Sequence, residues 1–422
     1  MQDWFNDLTC PATGARLRSE RLEAEGMYLL HGPKHVFPVI CGIPRLILDE
    51  ARAAIVARLR SGDWEAATKI ALSWPDKNLS NRVRRKLSKV LLRNLPGLAI
   101  AHQGAALLST GTPLLNNSGS TQELLERLQS GFFVDWLIHR FCARTFKPLR
   151  ALSRVLRPTD QVLDIGGGFG HGAWEICAHV PEGQITLVDE VFSHLFLAKT
   201  QMVPGIRAVA ADLNNGVPFA GRSFDAIIMS DTFHFVDAQQ QLVEDCERLL
   251  STDGRIILSQ IHNGLIGGEF TGNPRSPQGY MALFANLRTR LYRNRDLLSD
   301  LAEGAELRLN RQTDLPELEA DAELSMVADR TGNVFTALGE PAKTPRNPRL
   351  SSLLMKSTDG GLTRRDTIHE IVQPFLDYPP QDLLSTLRHD DVMAAIVAKD
   401  CADLIRAGVV VDVPPNYFPP HS

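Results

Sequence analysis

The sequence has no excess of either charge, no apolar run long enough to span a membrane and no closely spaced pair of cysteines. Its 422 residues carry 45 Lys and Arg against 49 Asp and Glu, a formal net charge of −4. That balance supplies no global attraction to nucleic acid or to an anionic membrane. None of the apolar runs reaches the roughly 20 residues that a membrane-spanning helix needs. The stretch Met1 to Asp7 is acidic and lacks the basic and apolar segments of a signal peptide. The six cysteines (10, 41, 142, 177, 246 and 401) are scattered. Such thiols suit a reducing compartment, where they act as small apolar residues. The expectation is therefore a cytoplasmic protein without a disulfide framework, a membrane span or DNA as a partner. No internal repeat is visible.

What is present is enough apolar residue for real cores, 44%, in a length that suits two or three domains. Four regions stand out. Residues 1–49 read as short strands and turns. Residues 50–150 read as a helical cover, with apolar residues at helical spacing in 51–59, 83–92 and 124–141 and a polar loop over 104–121. Residues 151–345 hold an alternation of strand (161–165, 184–188, 206–210, 224–229, 254–260) and helix (171–180, 192–201, 238–250). Short connections between them predict a parallel sheet with helices on both faces. An insertion and a β pair at 305–311 and 321–329 complete that region. Residues 346–422 read as a small helical domain, with helices over 363–375 and 391–407, a strand at 409–411 and a proline-rich tail unsuited to regular structure.

The densest chemical signal is residues 161–170. Val162, Leu163 and Ile165 form a strand that carries Asp164 and breaks at Gly166, Gly167, Gly168 and Gly170, with a helix following at once. Glycines let a backbone turn sharply and approach a ligand closely. Strand, glycine loop and helix together make the nucleotide site of open α/β sheets. An acid two positions before the first glycine favours a ligand with positive charge over a pyrophosphate; S-adenosylmethionine, with an ammonium and a sulfonium, is one. The loop alone does not decide, because Gly168–Ala173 also fits the G-x-G-x-x-A dinucleotide fingerprint. The following strand ends discriminate. Asp189 is placed to accept ribose hydroxyls, Asp212 and Leu213 to meet adenine, and Ser230 and Asp231 close the fourth strand; Leu249–Gly254 precedes the fifth.

Over residues 155–262 the chain resembles the class I S-adenosylmethionine-dependent methyltransferases, in Asp164-x-Gly166-x-Gly168-x-Gly170, Asp189, Asp212-Leu213 and the turn before strand five. The resemblance implies an α/β, Rossmann-like fold of seven strands, the last antiparallel, with the pair at 305–329 supplying strands six and seven. It implies S-adenosylmethionine as cofactor, held by Asp164, Gly166, Gly168, Gly170, Asp189, Asp212, Leu213 and Ser230. Methyl transfer is mainly a matter of proximity and orientation, with a general base needed only for a protonated acceptor. His234, after strand four, and His262, after strand five, are the candidate catalytic residues; each also has the plain reading of a packed loop histidine. His171 falls in the first turn of the helix after the glycines, beside the cofactor.

The flanks carry further resemblances. Residues 8–49, with Leu8-Thr9-Cys10-Pro11 and Phe37-Pro38-Val39 before Gly42-Ile43-Pro44, resemble the small zinc-ribbon protein that activates tRNA and release-factor methyltransferases. Thr13 stands where that family has its second cysteine. Cys10 and Cys41, even with His31 or His35, fall short of the four ligands of a closed zinc site, so a metal-free ribbon and no metal cofactor are expected. It could serve as a substrate platform or as a lid over an apolar face. The basic run 81–89 reads as a solvated helix face, or as a contact for an acidic substrate or RNA. The C-terminal region resembles winged-helix-like appendages, without a basic recognition helix. Tyr280, Phe284 and Arg288 share a predicted helical face that could line an acceptor pocket or pack on the sheet. A small-molecule acceptor, a specialised metabolite, is the favoured substrate, with the helical cover enclosing its pocket. Protein, peptide or RNA acceptors and a non-catalytic scaffold are the alternatives, and a homodimer stays open.

Overall fold

The computed structural model describes residues 3–73, 119–128, 132–221, 224–266, 272–304, 306–339, 344–370 and 372–419. The basic run 81–89, the predicted helix 83–92, most of the loop 104–121 and residues 267–271 of the insertion lie outside them.

Strand β5 (Val162–Ile165) is buried at all four positions, as a central parallel strand covered on both faces must be. It lies between β6 (Ile185–Asp189) and β8 (Phe224–Ser230), with Leu163 opposite Thr186 on one side and Ile227 on the other. β7 (Arg207–Ala210) extends the sheet beyond β6, and β9 (Leu250–His262) lies beside β8. β11 (Glu323–Asp329) runs antiparallel to β9 and to the edge strand β10 (Arg288–Arg293). The seven-stranded order is β10-β11-β9-β8-β5-β6-β7. The sixth strand is therefore 288–293 and not the predicted 305–311. Its Leu291 and Tyr292 are buried, whereas Leu307–Arg308 forms only a two-residue pair with Ala337–Leu338.

Two cores flank the sheet. One packs the helices Lys147–Leu152, His171–Ile176, Phe192–Leu197 and Asn294–Ala302 together with the cover helices Glu50–Arg60, Trp64–Ser73, Thr121–Leu128 and Phe132–Ile138. The other packs the Gln239–Leu249 helix and Tyr280, Phe284 and Leu287 against the opposite face. Over the predicted helix 124–141 the described residues form the helices Thr121–Leu128 and Phe132–Ile138, the second followed by a turn of 3-10 helix at Arg140–Cys142.

The N-terminal strands β1 (Arg18–Arg21), β2 (Tyr28–His31), β3 (Val36–Ile40) and β4 (Ile43–Pro44) form an antiparallel sheet in sequence order. This unit is joined to the edge of the central sheet. Arg45 bridges Ala210 in parallel, and the Leu46 amide donates to the Ala210 carbonyl at 2.7 Å. Leu8 bridges Phe219, and Phe5, Leu8, Leu30, Phe37 and Leu46 share a core with Val209, Ala211 and Phe219. Edge β7 is thus paired and covered. Cys10 and Cys41 are free thiols, and His31 is engaged by Glu20 at 2.6 Å.

The C-terminal region contains more strand than its sequence predicts. Pro348–Leu350 pairs with Val410–Asp412, and Leu354–Lys356 with Leu362–Arg364. The predicted helix 363–375 is instead a strand end, a loop and a short 3-10 turn at Gln373–Phe375. The helix Gln381–Thr386 has no counterpart in the sequence reading, and the predicted helix 391–407 is divided into His389–Ala398 and Ala402–Arg406 by Lys399, whose φ is 54°. Among the described residues no helix is long and apolar enough to cross a membrane.

Candidate functional site

Every candidate cofactor residue lies at or just beyond the carboxyl ends of β5 to β8, and backbone geometry shows why the loop is glycine. Gly166, Gly168 and Gly170 have φ of 70°, 52° and 86°, a region costly for residues with a Cβ. A Cβ on Gly166 would come within 2.1 Å of Thr232, and one on Gly167 within 2.0 Å of Leu187, whereas Gly168 faces open space. The loop thus packs hard against β6 and the β8 end while offering Gly168 outward. Asp189 braces it: its carboxylate accepts from the Gly168 amide and the Val191 amide, both at 2.9 Å. Burial raises the Asp189 pKa against the lowering effect of these bonds.

A cavity of about 300 Å³ opens beside this loop. Asp164, Gly166–Phe169, His171 and Gly172 form one wall, Ser230–Thr232 and Phe235 another, and Trp136, Leu137, Arg140 and Phe146 of the cover a third. Asp164 is 1% exposed, and its Oδ2 has no hydrogen-bond partner among the described residues. Burial, followed by the neighbouring Asp189 charge, pushes its carboxyl up to about 7. The buried Ser230 Oγ is likewise unsatisfied among the described residues. Such atoms are costly unless a ligand meets them. A cationic ligand with hydrogen-bonding groups fits this wall.

Asp189, Asp212 and Leu213 stand outside the cavity on the same edge of the sheet. The Asp212 carboxylate caps its own turn, accepting from the Asn214 amide and Asn214 Nδ2, each at 3.0 Å. Leu213 joins the core shared with the N-terminal unit. His171 begins the helix after the loop and lines the cavity. Its Nε2 donates to the Leu137 carbonyl at 3.1 Å and contacts the hydroxyl of the tail residue Tyr417 at 2.9 Å. Burial holds the imidazole down at about 3, so it is neutral. His194, packed on Phe169 with 3.9 Å between ring centroids, is neutral for the same reason.

The two candidate bases meet, but not in the expected place. His234 is fully buried in the Phe233–Phe235 turn and stands behind Asp231, which lines the cavity in its stead. His234 Nε2 is 3.9 Å from Asp231 Oδ1, and the His234 and His262 rings are 4.6 Å apart. Burial lowers the His262 pKa, with Asp231 and Glu323 opposing. Asp231 itself adopts φ of 56°, and its Oδ2 accepts from Arg140 Nη2 at 3.0 Å. Arg140 also bonds Thr145 and stacks over Trp136 at 4.8 Å.

The expected acceptor trio does not share a face. Tyr280 and Phe284 are fully buried against Phe233, and the Tyr280 hydroxyl donates to the His262 carbonyl at 2.9 Å. Arg288 opens β10 and lies exposed. Tyr280 and Phe284 support the site from behind. Asp231, Arg140, Trp136 and Phe235 are among the cavity residues that the sequence candidates did not include. A signal existed for Asp231, next to the named Ser230; Trp136 and Arg140 reach the cavity only through tertiary packing.

Residues 162–254 match the family model described as methyltransferase domain. A curated relative, the demethylmenaquinone methyltransferase of Thermotoga maritima, is 28% identical over 102 residues, 24% of this chain and 44% of the relative. The chain thus spans less than half of that protein's length. Among solved structures, geranyl diphosphate C-methyltransferase of Streptomyces coelicolor is 15% identical, covering 42% of this chain and 71% of its own, with a TM-score of 0.31. A TehB-like methyltransferase of Corynebacterium glutamicum is 16% identical, with 43% and 86% coverage and a TM-score of 0.33.

Proposed function

We propose that the chain transfers the methyl group of S-adenosylmethionine to a small-molecule acceptor, a specialised metabolite. The observation that carries this reading is the buried Asp164 carboxylate beneath the glycine loop, whose Oδ2 has no partner among the described residues. A pyrophosphate would be repelled there, whereas an ammonium or sulfonium would be paired. Bound S-adenosylmethionine supplies an electrophilic methyl on a positively charged sulfur. Asp164 and Ser230 hold it, Asp189 fixes the loop that receives it, and Phe169 and Phe235 help exclude water. Orientation is the main contribution asked of these residues.

Arg140, Trp136 and Phe146 support a small acceptor, because the cover walls one side of the cavity with apolar and aromatic groups around a single charged one. Asp231 is the carboxylate on that wall, and His234 and His262 act through it as positioning groups. The N-terminal unit, read as a metal-free relative of the activator ribbon, serves as a lid on β7 and not as an acceptor platform. Its backbone bonds to the central sheet region go to Ala210, Pro218, Phe219 and Ala220, none of which lines the cavity.

Calorimetry with S-adenosylhomocysteine tests the cofactor reading; binding of NAD in its place would overturn it. Cell extract split by size and incubated with labelled cofactor tests the acceptor. Label in the macromolecular fraction alone would replace the metabolite by a protein or RNA.

A further inference from the structure

We propose that Asp231, His234 and His262 form a site for a divalent first-row transition-metal ion beside the cofactor cavity. One ligand atom from each of the three lies within 4.8 Å of the others. Ligand atoms sharing one ion with bonds of about 2.0–2.2 Å stand roughly 3.4 Å apart in tetrahedral geometry. Asp231 Oδ1 and His234 Nε2, at 3.9 Å, are already near that spacing. His234 is fixed by complete burial, whereas His262 is partly exposed at the strand end, so a rotation of its ring can complete the set.

The carboxylate is oriented for the task. Arg140 takes Oδ2 while Oδ1 faces the imidazoles, which leaves one oxygen for the ion and fixes its direction. The supports of the two histidines are equally specific. The His262 carbonyl accepts from Tyr280, and the His234 carbonyl accepts from the Asn273 amide at 2.6 Å. Partners that hold metal ligands in place matter nearly as much as the ligands. Two imidazoles and one carboxylate suit zinc, iron(II), cobalt or nickel and not magnesium or calcium, which prefer all-oxygen sets. Three protein ligands also leave a position open. On the methyl-transfer reading above, that position would take a hydroxyl or carboxylate oxygen of the acceptor and orient it.

The test is titration of chelator-stripped full-length chain with cobalt(II), followed by calorimetry and visible absorption, with S-adenosylhomocysteine binding measured in parallel. About one ion per chain at micromolar or tighter affinity is expected. His262→Ala should weaken it by at least about 100-fold while leaving S-adenosylhomocysteine affinity unchanged, since His262 does not line the cavity. If that variant fails to fold, His262→Gln is measured in its place. A wild-type chain that binds no ion overturns the proposal. So does binding that survives the His262 substitutions and disappears in Cys10→Ser or Cys41→Ser, which would place the ion in the N-terminal unit. Metal binding without S-adenosylhomocysteine binding would leave the site standing and remove the methyl-transfer reading.

Discussion

The carboxyl edge of the central sheet has two unlike halves. Around β5 and β6 the site is made from backbone: three glycines at positive φ, two amides gathered by Asp189 and one buried carboxylate. Around β8 and β9 it is made from side chains that meet across the fold, with Asp231 and His234 on one loop, His262 about thirty residues later and Arg140 from the cover. A backbone site tolerates few substitutions because it is steric. A side-chain site can be retuned one residue at a time. The first half is thus suited to a fixed cofactor and the second to a variable acceptor.

Substitutions should separate the halves. His234→Ala is expected to lower turnover by about 10–100-fold with cofactor affinity nearly intact, the range for losing a partner that orients a group at the site. Single-turnover kinetics beside calorimetry would check it. Near-normal turnover would restrict the acceptor half to His262 and Asp231, or to orientation alone.

Gly166→Ala should strike the other half and the fold together. Its Cβ would overlap Thr232 at a φ of 70°, a combined cost of roughly 2–4 kcal/mol to be read from denaturant unfolding. Wild-type stability in this variant would mean that the β8 end yields and that the halves are not in rigid contact.

Asp189→Ala should weaken S-adenosylhomocysteine binding by about 1.5–3 kcal/mol through loss of its bonds to the Gly168 and Val191 amides, which set the loop that receives the ligand. Turnover at saturating cofactor should change much less. A fall in turnover alone would erase the distinction between the halves.

The smallest effect concerns pH. Asp164 titrates at about 7 in the folded chain, against 3.8 for the ordinary group. The folded state therefore holds a proton that the unfolded state has released, and this contribution to stability falls as pH rises from about 4 to about 7. Cofactor binding has the opposite sign, because a cation favours the ionised carboxylate. Affinity for S-adenosylmethionine should rise by up to about tenfold per pH unit below 7 and level above it. Asp164→Asn should flatten that profile; a profile unchanged in the variant would assign the titration elsewhere.

The same division explains what the sequence made legible. β5 to β9 and their helices are contiguous elements with local periodicity, and the first strand and its glycine loop fall within ten consecutive residues, so both could be read directly. The sixth strand could not: Arg288–Arg293 reads Arg-Thr-Arg-Leu-Tyr-Arg, with no period-two apolar pattern, and its pairing with β11 is a tertiary choice. Tyr280 and Phe284 have helical spacing, but spacing alone does not say whether a face meets a cavity or a core. His234 was identified from its position after strand four, yet the left-handed turn at Asp231 that puts the carboxylate in front of it leaves no mark on a sequence pattern. Arg140 lies 91 residues from its partner.

The hydrogen bond from the Leu46 amide to the Ala210 carbonyl has a consequence for assembly. The strand end that closes edge β7 belongs to the same polypeptide, so the pairing has an effective concentration set by the intervening chain and not by the amount of protein present. Dilution that would dissociate a two-chain complex leaves this junction in place. At Ala210 the edge is therefore closed from within the chain, which blunts that end of β7 as a template for another molecule's strand.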